Sequence, residues 1–242
     1  MATLLRRAGL AFLVAMVLAG CAQPGGERAG GSFSRLAASQ VPEGFPLQAY
    51  QQAVAQGKTV LRIDPAQSLV TITARRGGSL ARFGHDHIVA SRAVQGYVSP
   101  GEGRANLFVP LADLTVDEPA LRAEAGFDTQ PGANDIEGTR SNMLDKVLEV
   151  QRFPFALVEV SGMEAAPAGS VLKVAITLHG VRRTLDVPVQ VDSQPDGMRV
   201  SGMFELNQSD FDIVPFSILG GAVQVQDRLG MRFAIRAGRL SD

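Results

Sequence analysis

The sequence predicts a mainly β, antiparallel domain, folded either as a sandwich or as a closed barrel. From Thr59 onward apolar and polar residues tend to alternate, which is the period of a strand with one buried face. Turn-forming clusters separate these runs, and no helices alternate with them as a parallel sheet would require. With 242 residues, of which 45% are hydrophobic, the chain can form one substantial core.

About eight strands are predicted at this spacing. The alternation is clearest in Thr184–Val191, where every second residue is Leu or Val and these residues share one face. The other strand candidates are Leu69–Arg75, Leu107–Pro110, Phe155–Val160, Val171–Leu178, Met198–Leu206 and Leu229–Arg236.

Apolar residues at helical spacing occur before the predicted strands and again among them. Residues 46–58 predict a short helix before the strands, with its apolar residues on one face and Gly57 as its stop. Inside the β region, Pro119–Gly126 and Asp135–Val150 predict one or two short inserted helices. We expect the β domain itself to occupy residues 59–240.

The first residues predict a signal peptide and a lipid anchor. Arg6 and Arg7 precede an apolar run, Ala8–Leu18, that is too short to span a bilayer comfortably. Leu18-Ala19-Gly20-Cys21 resembles a bacterial lipobox, which implies cleavage after residue 20 and acylation of Cys21, including a palmitate. The alternative is an ordinary secretory signal with a chance cysteine.

The residues after the predicted cleavage site indicate where in the cell the domain is held. Residues 21–45 are rich in Gly, Ser, Ala and Pro and predict a flexible tether. Ala22, in place of Asp after the lipobox, favours the outer membrane. We therefore expect a lipid-anchored protein at the periplasmic face of a bacterial cell envelope, sorted to the outer membrane.

Four segments together resemble the YceI-like family of bacterial periplasmic lipid- or polyisoprenoid-binding proteins. They are Phe83–His87, Arg140–Leu144 with Arg152-Phe153-Pro154, Leu178–Leu185 and Gln208–Ile213. The resemblance implies an eight-stranded antiparallel lipocalin-like barrel around an apolar pocket for a long isoprenoid or another amphiphile. Gln208 and Asp212 depart from the basic residue and the glycine that are usual in the family.

The pocket candidates are apolar side chains in or near these segments, with core packing as the alternative for each. They are Phe83, Phe108, Met143, Leu144, Val147, Phe155, Phe211, Ile213, Phe216 and Ile218. Arg140 is a candidate for an anionic headgroup, because a guanidinium suits a pyrophosphate or carboxylate. Phe211–Gly221 is interpreted either as a flap over the pocket or as a crossover that is simply part of the core.

The chain has three histidines, His85, His87 and His179. On a strand, positions i and i+2 share a face, so His85 and His87 predict a pair, and a third imidazole would make a metal site. The alternative is that the first two cap a strand end and that His179 belongs to a tight turn.

Composition and motifs exclude several functions. The formal charge of −1, from 23 basic and 24 acidic residues, argues against nucleic-acid binding. Serine-hydrolase, zinc-protease and P-loop motifs are missing from the sequence, so we expect a protein that is not an enzyme.

The sequence therefore predicts a lipoprotein that sequesters or carries a polyisoprenoid, quinone-like or fatty lipid, with the membrane as partner through its anchor. No cofactor is required, although an isoprenoid or another lipid is the expected bound molecule, and a homodimer is a further hypothesis. The alternatives are a metal-binding protein or metalloenzyme that uses the three histidines, and a structural envelope lipoprotein with a filled barrel.

Overall fold

The computed structural model describes residues 41–163 and 169–240. Three helices are present there, α1 Leu47–Ala55, α2 Pro119–Ala125 and α3 Ala133–Asn142. The strands are β1 Leu61–Ile63, β2 Leu69–Gly77, β3 His87–Ser91, β4 Gln95–Ser99, β5 Arg104–Pro110, β6 Thr115–Val116, β7 Phe155–Ser161, β8 Ser170–Leu178, β9 Val181–Gln194, β10 Gly197–Asn207, β11 Ser217–Ile218 and β12 Val223–Arg239. The predicted signal peptide, Cys21 and most of the tether lie outside the described residues.

The strands form a closed antiparallel barrel. Its order is β1-β4-β5-β7-β8-β9-β10-β12, and β12 pairs again with β1 to close the ring. Three of the eight strands in this ring are interrupted. One is made of β1 and β2, the next of β3 and β4, and the third of β5 and β6. This confirms the predicted fold class and selects the barrel over the sandwich.

Alternating side chains point into the barrel. In β8, Leu172, Val174 and Ile176 face the interior and are buried, whereas Val171 and Lys173 are exposed. This period of two is the geometry that the sequence pattern requires. The interior is therefore lined almost entirely by aliphatic and aromatic side chains.

The helix α1 covers part of the outer surface of the barrel. Tyr50 of this helix is fully buried and packs on Tyr97 of β4, and its hydroxyl donates a hydrogen bond of 2.8 Å to Asn106 Oδ1. Phe45 packs edge-on against Phe108 of β5 at 5.2 Å between ring centroids. The expected helix before the barrel thus forms a second apolar layer outside it.

The inserted helices lie between β6 and β7. The predicted helix Asp135–Val150 is shorter than expected, because α3 changes into a π-helical turn at Met143–Val147. Its hydrogen bond from Leu148 N to Met143 O is 2.9 Å long. Glu149 then adopts a positive φ of 45°, which ends the helix before Val150.

The long predicted strands are present and extend beyond their expected limits. The short strands β1, β3, β4, β6 and β11 were not among the predicted strands, because their few residues carry too little periodicity to detect. None of the helices among residues 41–163 and 169–240 has the length and hydropathy needed to cross a membrane.

The outer aromatic layer leads to a stability prediction. We expect Phe108→Ala to lower the free energy of unfolding by about 3–5 kcal/mol, because a fully buried ring leaves a cavity. Phe83→Ala is the control, since Phe83 is 65% exposed and its loss should cost less than about 0.5 kcal/mol. Urea unfolding followed by circular dichroism measures both, and similar small losses would contradict the packing described here.

Candidate functional site

The barrel encloses a cavity of about 490 Å³. That volume lies within the range of small-molecule sites, roughly 300–1,000 Å³. Its wall comes from inward-facing residues around the whole barrel, from Ile63 and Val98 at one end to Leu229 and Phe204 towards the other. The predicted alternative of a barrel filled by its own side chains is therefore not what the structure shows.

The cavity opens to the surface at one end. Phe83 and Ile218 line it and are also 65% and 49% exposed. The turns that carry them lie together, because Leu80 N donates a hydrogen bond of 2.8 Å to Ala222 O. Leu219 and Val214 are exposed in the same region, so the opening is bordered by apolar surface.

Polar lining residues concentrate at this open end. β2 ends there, and β3 and β12 begin there, since Ala74 pairs with His87 and Gly77 pairs with Gln224. We call this region the polar end; its lining residues are Arg76, His85, His87, Thr139, Asn142, Gln208 and Gln224. Ser91 is the polar side chain that lines the cavity elsewhere in the described chain.

A buried ion network holds His87 in place. Its Nδ1 donates to Asp117 Oδ2 at 2.6 Å, and the same carboxylate accepts Ile88 N at 3.0 Å and Arg122 Nη1 at 2.7 Å. Arg122 also donates to the carbonyls of Asp86 and Thr129. The network joins the start of β3 to α2 and fixes the orientation of the His87 ring.

Asp117 remains ionised in this network. Burial alone would raise its pKa, but the hydrogen bonds from His87, Ile88 N and Arg122 outweigh burial and lower the pKa below its usual value. Asp117 also adopts a left-handed backbone conformation with φ 56°. Asp and Asn tolerate that conformation better than most residues do.

A second ion network lies beside the first. Asp86 Oδ2 accepts Arg75 Nη1 at 2.9 Å, and its Oδ1 accepts the backbone N–H of Arg76 at 2.9 Å. Arg76 Nη2 donates to both carboxylate oxygens of Asp128, at 2.8 and 3.1 Å, and its Nη1 donates to Gly84 O. The guanidinium at the cavity wall is therefore already paired with a carboxylate.

His85 lies next to His87 on the cavity wall. The two ring centroids are 6.2 Å apart. The Nδ1 atom of His85 is buried, and no hydrogen-bond partner for it occurs in the described part of the chain. Such an atom is costly to bury unpaired.

Six of the predicted pocket residues line the cavity, and their contact with a ligand stays a prediction. They are Phe83, Met143, Val147, Ile213, Phe216 and Ile218. In the segment Phe211–Gly221, Ile213 is buried in the core, whereas Ile218 lies in the short strand β11 at the opening. The segment thus combines core packing with part of the rim.

Five predicted pocket residues lie away from the cavity wall. Phe108 and Phe155 point outward from their strands and pack on each other at 5.9 Å. Leu144 and Phe211 are buried in packing clusters of the core. Arg140 donates to the carbonyls of Ala112 and Leu114, at 2.7 and 3.1 Å, and so attaches α3 to the loop after β5.

The three histidines do not converge. His179 occupies the β8–β9 turn with a positive φ of 52°, packs on Phe153 at 4.5 Å and lies 3.4 Å from Glu149. Among the described residues, no three His, Cys, Asp or Glu side chains could hold a metal ion together. The predicted three-histidine metal site is therefore wrong for this part of the chain, because the turn places His179 apart from His85 and His87.

The sequence reading missed most of the cavity wall and the Asp117 network. The wall residues were detectable as the inward positions of each alternating strand. Nothing local identifies Asp117 and Arg122, because Asp117 lies 30 positions from its partner His87.

The fold and cavity define a class, the small antiparallel β-barrel that encloses an apolar chamber open at one end. Within that class the particular assignment is clear. The model of the YceI-like domain matches residues 61–237, which is most of the chain, so the chain belongs to the YceI-like family.

Two solved structures that are similar to this chain are distant from it in sequence. A polyisoprenoid binding domain from Saccharophagus degradans, implicated in plant cell wall breakdown, has 13% identity and a TM-score of 0.54, covering 75% of this chain and 99% of its own. Burkholderia cenocepacia BcnA has 17% identity and a TM-score of 0.49, covering 72% and 98%. No curated protein matches this sequence.

The ion network leads to a prediction about stability and pH. We expect Asp117→Asn to destabilise the protein by about 3–5 kcal/mol, because it leaves the buried guanidinium of Arg122 without its charged partner. Asn keeps the shape and tolerates the positive φ, so backbone strain does not contribute. Asp128→Asn is the control and should change stability far less, since Asp128 is exposed.

The same comparison has a defined pH dependence. Because the pKa of Asp117 is lowered by folding, its stabilisation is present above the unfolded pKa of about 3.9 and is lost as pH falls through the folded value. The difference between wild type and Asp117→Asn in urea unfolding should therefore shrink below about pH 4. A difference that stays constant with pH would contradict the ionised assignment.

Proposed function

We propose that this protein binds one long apolar amphiphile, such as a polyisoprenoid or a fatty lipid, inside its barrel, as a binding protein without catalysis. The observation that carries the proposal is the enclosed apolar cavity of about 490 Å³. Each methylene moved from water into such a chamber gains about 0.8 kcal/mol, so a long chain needs few polar contacts. The polyisoprenoid binding domain with the same fold supports this ligand class.

The border of the opening suits exchange of such a molecule with a membrane. Phe83, Ile218, Leu219 and Val214 expose apolar surface there, and contiguous exposed apolar surface commonly marks an interaction site. A lipid that leaves a bilayer would meet this surface before it enters the cavity. The arrangement supports sequestration or transport, and homodimerisation stays a separate prediction.

We further propose that the protein works in a bacterial cell envelope, held at the periplasmic face of the outer membrane by acylated Cys21. The support is the lipobox-like segment and the Gly-rich residues that separate it from the barrel. Several acyl chains on one residue suffice for stable anchoring.

The ligand proposal is tested with two matched substitutions on β8. Val174→Phe places a ring in the cavity, whereas Val171→Phe places it on the outer surface, where Val171 is 60% exposed. We expect wild type and Val171→Phe, purified from a bacterial periplasm, to carry an extra hydrocarbon-rich mass in native mass spectra. Val174→Phe should carry at most about a tenth of it, because the added ring fills space that the ligand would occupy in a close-packed chamber.

Circular dichroism checks that both variants fold. Equal ligand content in the two folded variants would place the lipid outside the cavity. Absence of any extra mass in wild type, together with no uptake of added isoprenoids, would contradict the binding function itself.

The anchor is tested by labelling bacteria with an alkyne analogue of palmitate. We expect the wild-type chain to incorporate label and to sediment with membranes, whereas Cys21→Ser should lose the label because the acylated thiol is gone. Label retained by Cys21→Ser, or missing from wild type, would contradict the lipoprotein assignment.

A further inference from the structure

Exposed apolar side chains are concentrated around the opening of the cavity. Six large apolar side chains are exposed in the described part of the chain, and four of them border the opening. These four, which we call the apolar rim, are Phe83, Val214, Ile218 and Leu219. The other two, Val171 and Met203, lie singly on the outer wall of the barrel. Scattered exposed apolar residues are ordinary, whereas a cluster of them marks an interaction surface.

Two turns that carry most of the rim are held together through their backbones. One follows β2 and carries Phe83, and the other joins β11 to β12 and carries Leu219. Gly78 makes this close contact possible, because a Cβ atom there would lie 2.4 Å from the carbonyl oxygen of Ala222. The two turns therefore present the rim as one continuous surface.

Leu219 is placed against two preferences of a leucine. Its φ of 53° is a left-handed conformation, which leucine avoids and which glycine or asparagine accepts readily. Its side chain is also 72% exposed. Residues held in such conformations cluster at functional sites. Because neither strain nor exposure helps the barrel to fold, this leucine points to an apolar partner outside the barrel.

Arg82 gives the rim a second feature that suits a membrane interface. Its guanidinium lies over the ring of Phe83, 4.5 Å from the centroid, and no carboxylate in the described part of the chain pairs with it. An arginine can keep its charge at the level of the lipid headgroups while apolar atoms beside it insert more deeply. The exposed carboxylate of Asp212 lies near Val214 in the sequence, so apolar insertion is a stronger attraction here than net charge.

The position of the proposed anchor allows the rim to reach the bilayer. Cys21 lies 20 positions before Val41, the first described residue, and an extended chain of that length spans at most about 70 Å. Strand β12 runs from the opening to the other end of the barrel, and its 17 residues span only about 56 Å. A chain anchored at Cys21 can therefore place the opening on the membrane.

We propose that the apolar rim is a membrane-docking surface, whose side chains insert into the bilayer so that the opening faces the acyl chains. The inference rests on the proposed lipid-binding function and assigns the bilayer as its partner. Phe83 and Ile218 belong both to the rim and to the cavity wall. A lipid tail can therefore pass between the bilayer and the cavity along apolar surface without crossing water.

Fluorescent labels locate the rim relative to the bilayer. Cys21 is the only cysteine in the sequence, so after its acylation an introduced cysteine is the one free thiol. Val214→Cys places the label on the rim, and Val171→Cys places it on the outer wall, where these side chains are 82% and 60% exposed.

The full chain is purified from bacterial membranes, labelled, and placed in vesicles of phosphatidylethanolamine and phosphatidylglycerol that contain brominated phosphatidylcholine. We expect the brominated acyl chains to quench most of the emission of the rim label, because that label lies within the bilayer. The label on the outer wall should keep its emission.

Leu219→Asn separates docking from stability. Asparagine accepts the positive φ better than leucine does, so the variant should be at least as stable as wild type in urea unfolding. It should still lower the ratio of docked to undocked protein at least about tenfold, the factor for withdrawing roughly two methylenes from hydrocarbon. The control is Met203→Gln, which removes a similarly exposed apolar side chain from the outer wall and should leave the quenching unchanged.

Native mass spectrometry of the same protein reads lipid content independently, so the outcomes separate docking from lipid binding. An unquenched rim label on protein that carries lipid overturns the docking surface and leaves lipid binding standing. Quenching that is equal in wild type and Leu219→Asn overturns it too. A quenched rim label on protein that takes up no lipid supports docking and contradicts the lipid-binding function.

Two further outcomes concern the occupant and the anchor. A rim label that is shielded without quenching, in protein of doubled mass, identifies a second copy as the occupant and overturns the membrane assignment. If the chain carries no acyl group, flotation with the same vesicles decides the question. Docking then requires wild type to float and Leu219→Asn to stay in solution.

Discussion

The second pairing of β12 is the constraint on which the rest of the structure depends. One edge of this strand pairs with β10, and the other pairs first with β2 and then with β1. This closes the ring, so its long strands have no free edge, and every second side chain must point into a shared interior. An eight-stranded ring is wide enough that these side chains leave a chamber, and the cavity is thus a consequence of closure.

Most side chains that point into the closed ring are apolar, and the polar ones are grouped at the polar end. Polar groups are tolerated there because each charge is paired, as Asp117 is with Arg122 and Asp86 is with Arg75. Strand β12 has an irregularity between Val225 and Leu229. Within it Asp227 is also paired, because its carboxylate accepts the backbone N–H of Ser209. The opening therefore combines paired charges with His85, whose Nδ1 has no hydrogen-bond partner in the described structure.

Several residues that make the sequence resemble its family hold neighbouring elements together. Arg140 attaches α3 to a loop, His179 packs in the β8–β9 turn, and Phe211 is fully buried beneath the barrel end. Other residues of these segments, among them Phe83, Met143 and Ile213, line the cavity together with the alternating Val, Leu and Ile positions of the strands. The family-like segments thus supply both packing contacts of the scaffold and part of the cavity wall.

The sequence by itself determined the strands, their alternation and the helix before the barrel, because these depend on residues close together along the chain. Tertiary structure decided which aromatic residues face inward. Both Phe83 and Phe108 are aromatic pocket candidates in the sequence, yet Phe83 borders the cavity and Phe108 packs outside the barrel against Phe45. It also separated His179 from the other histidines and joined His87 to Asp117. Register between distant strands sets such contacts, because local alternation fixes the face on which a residue lies but not its partner on a distant strand.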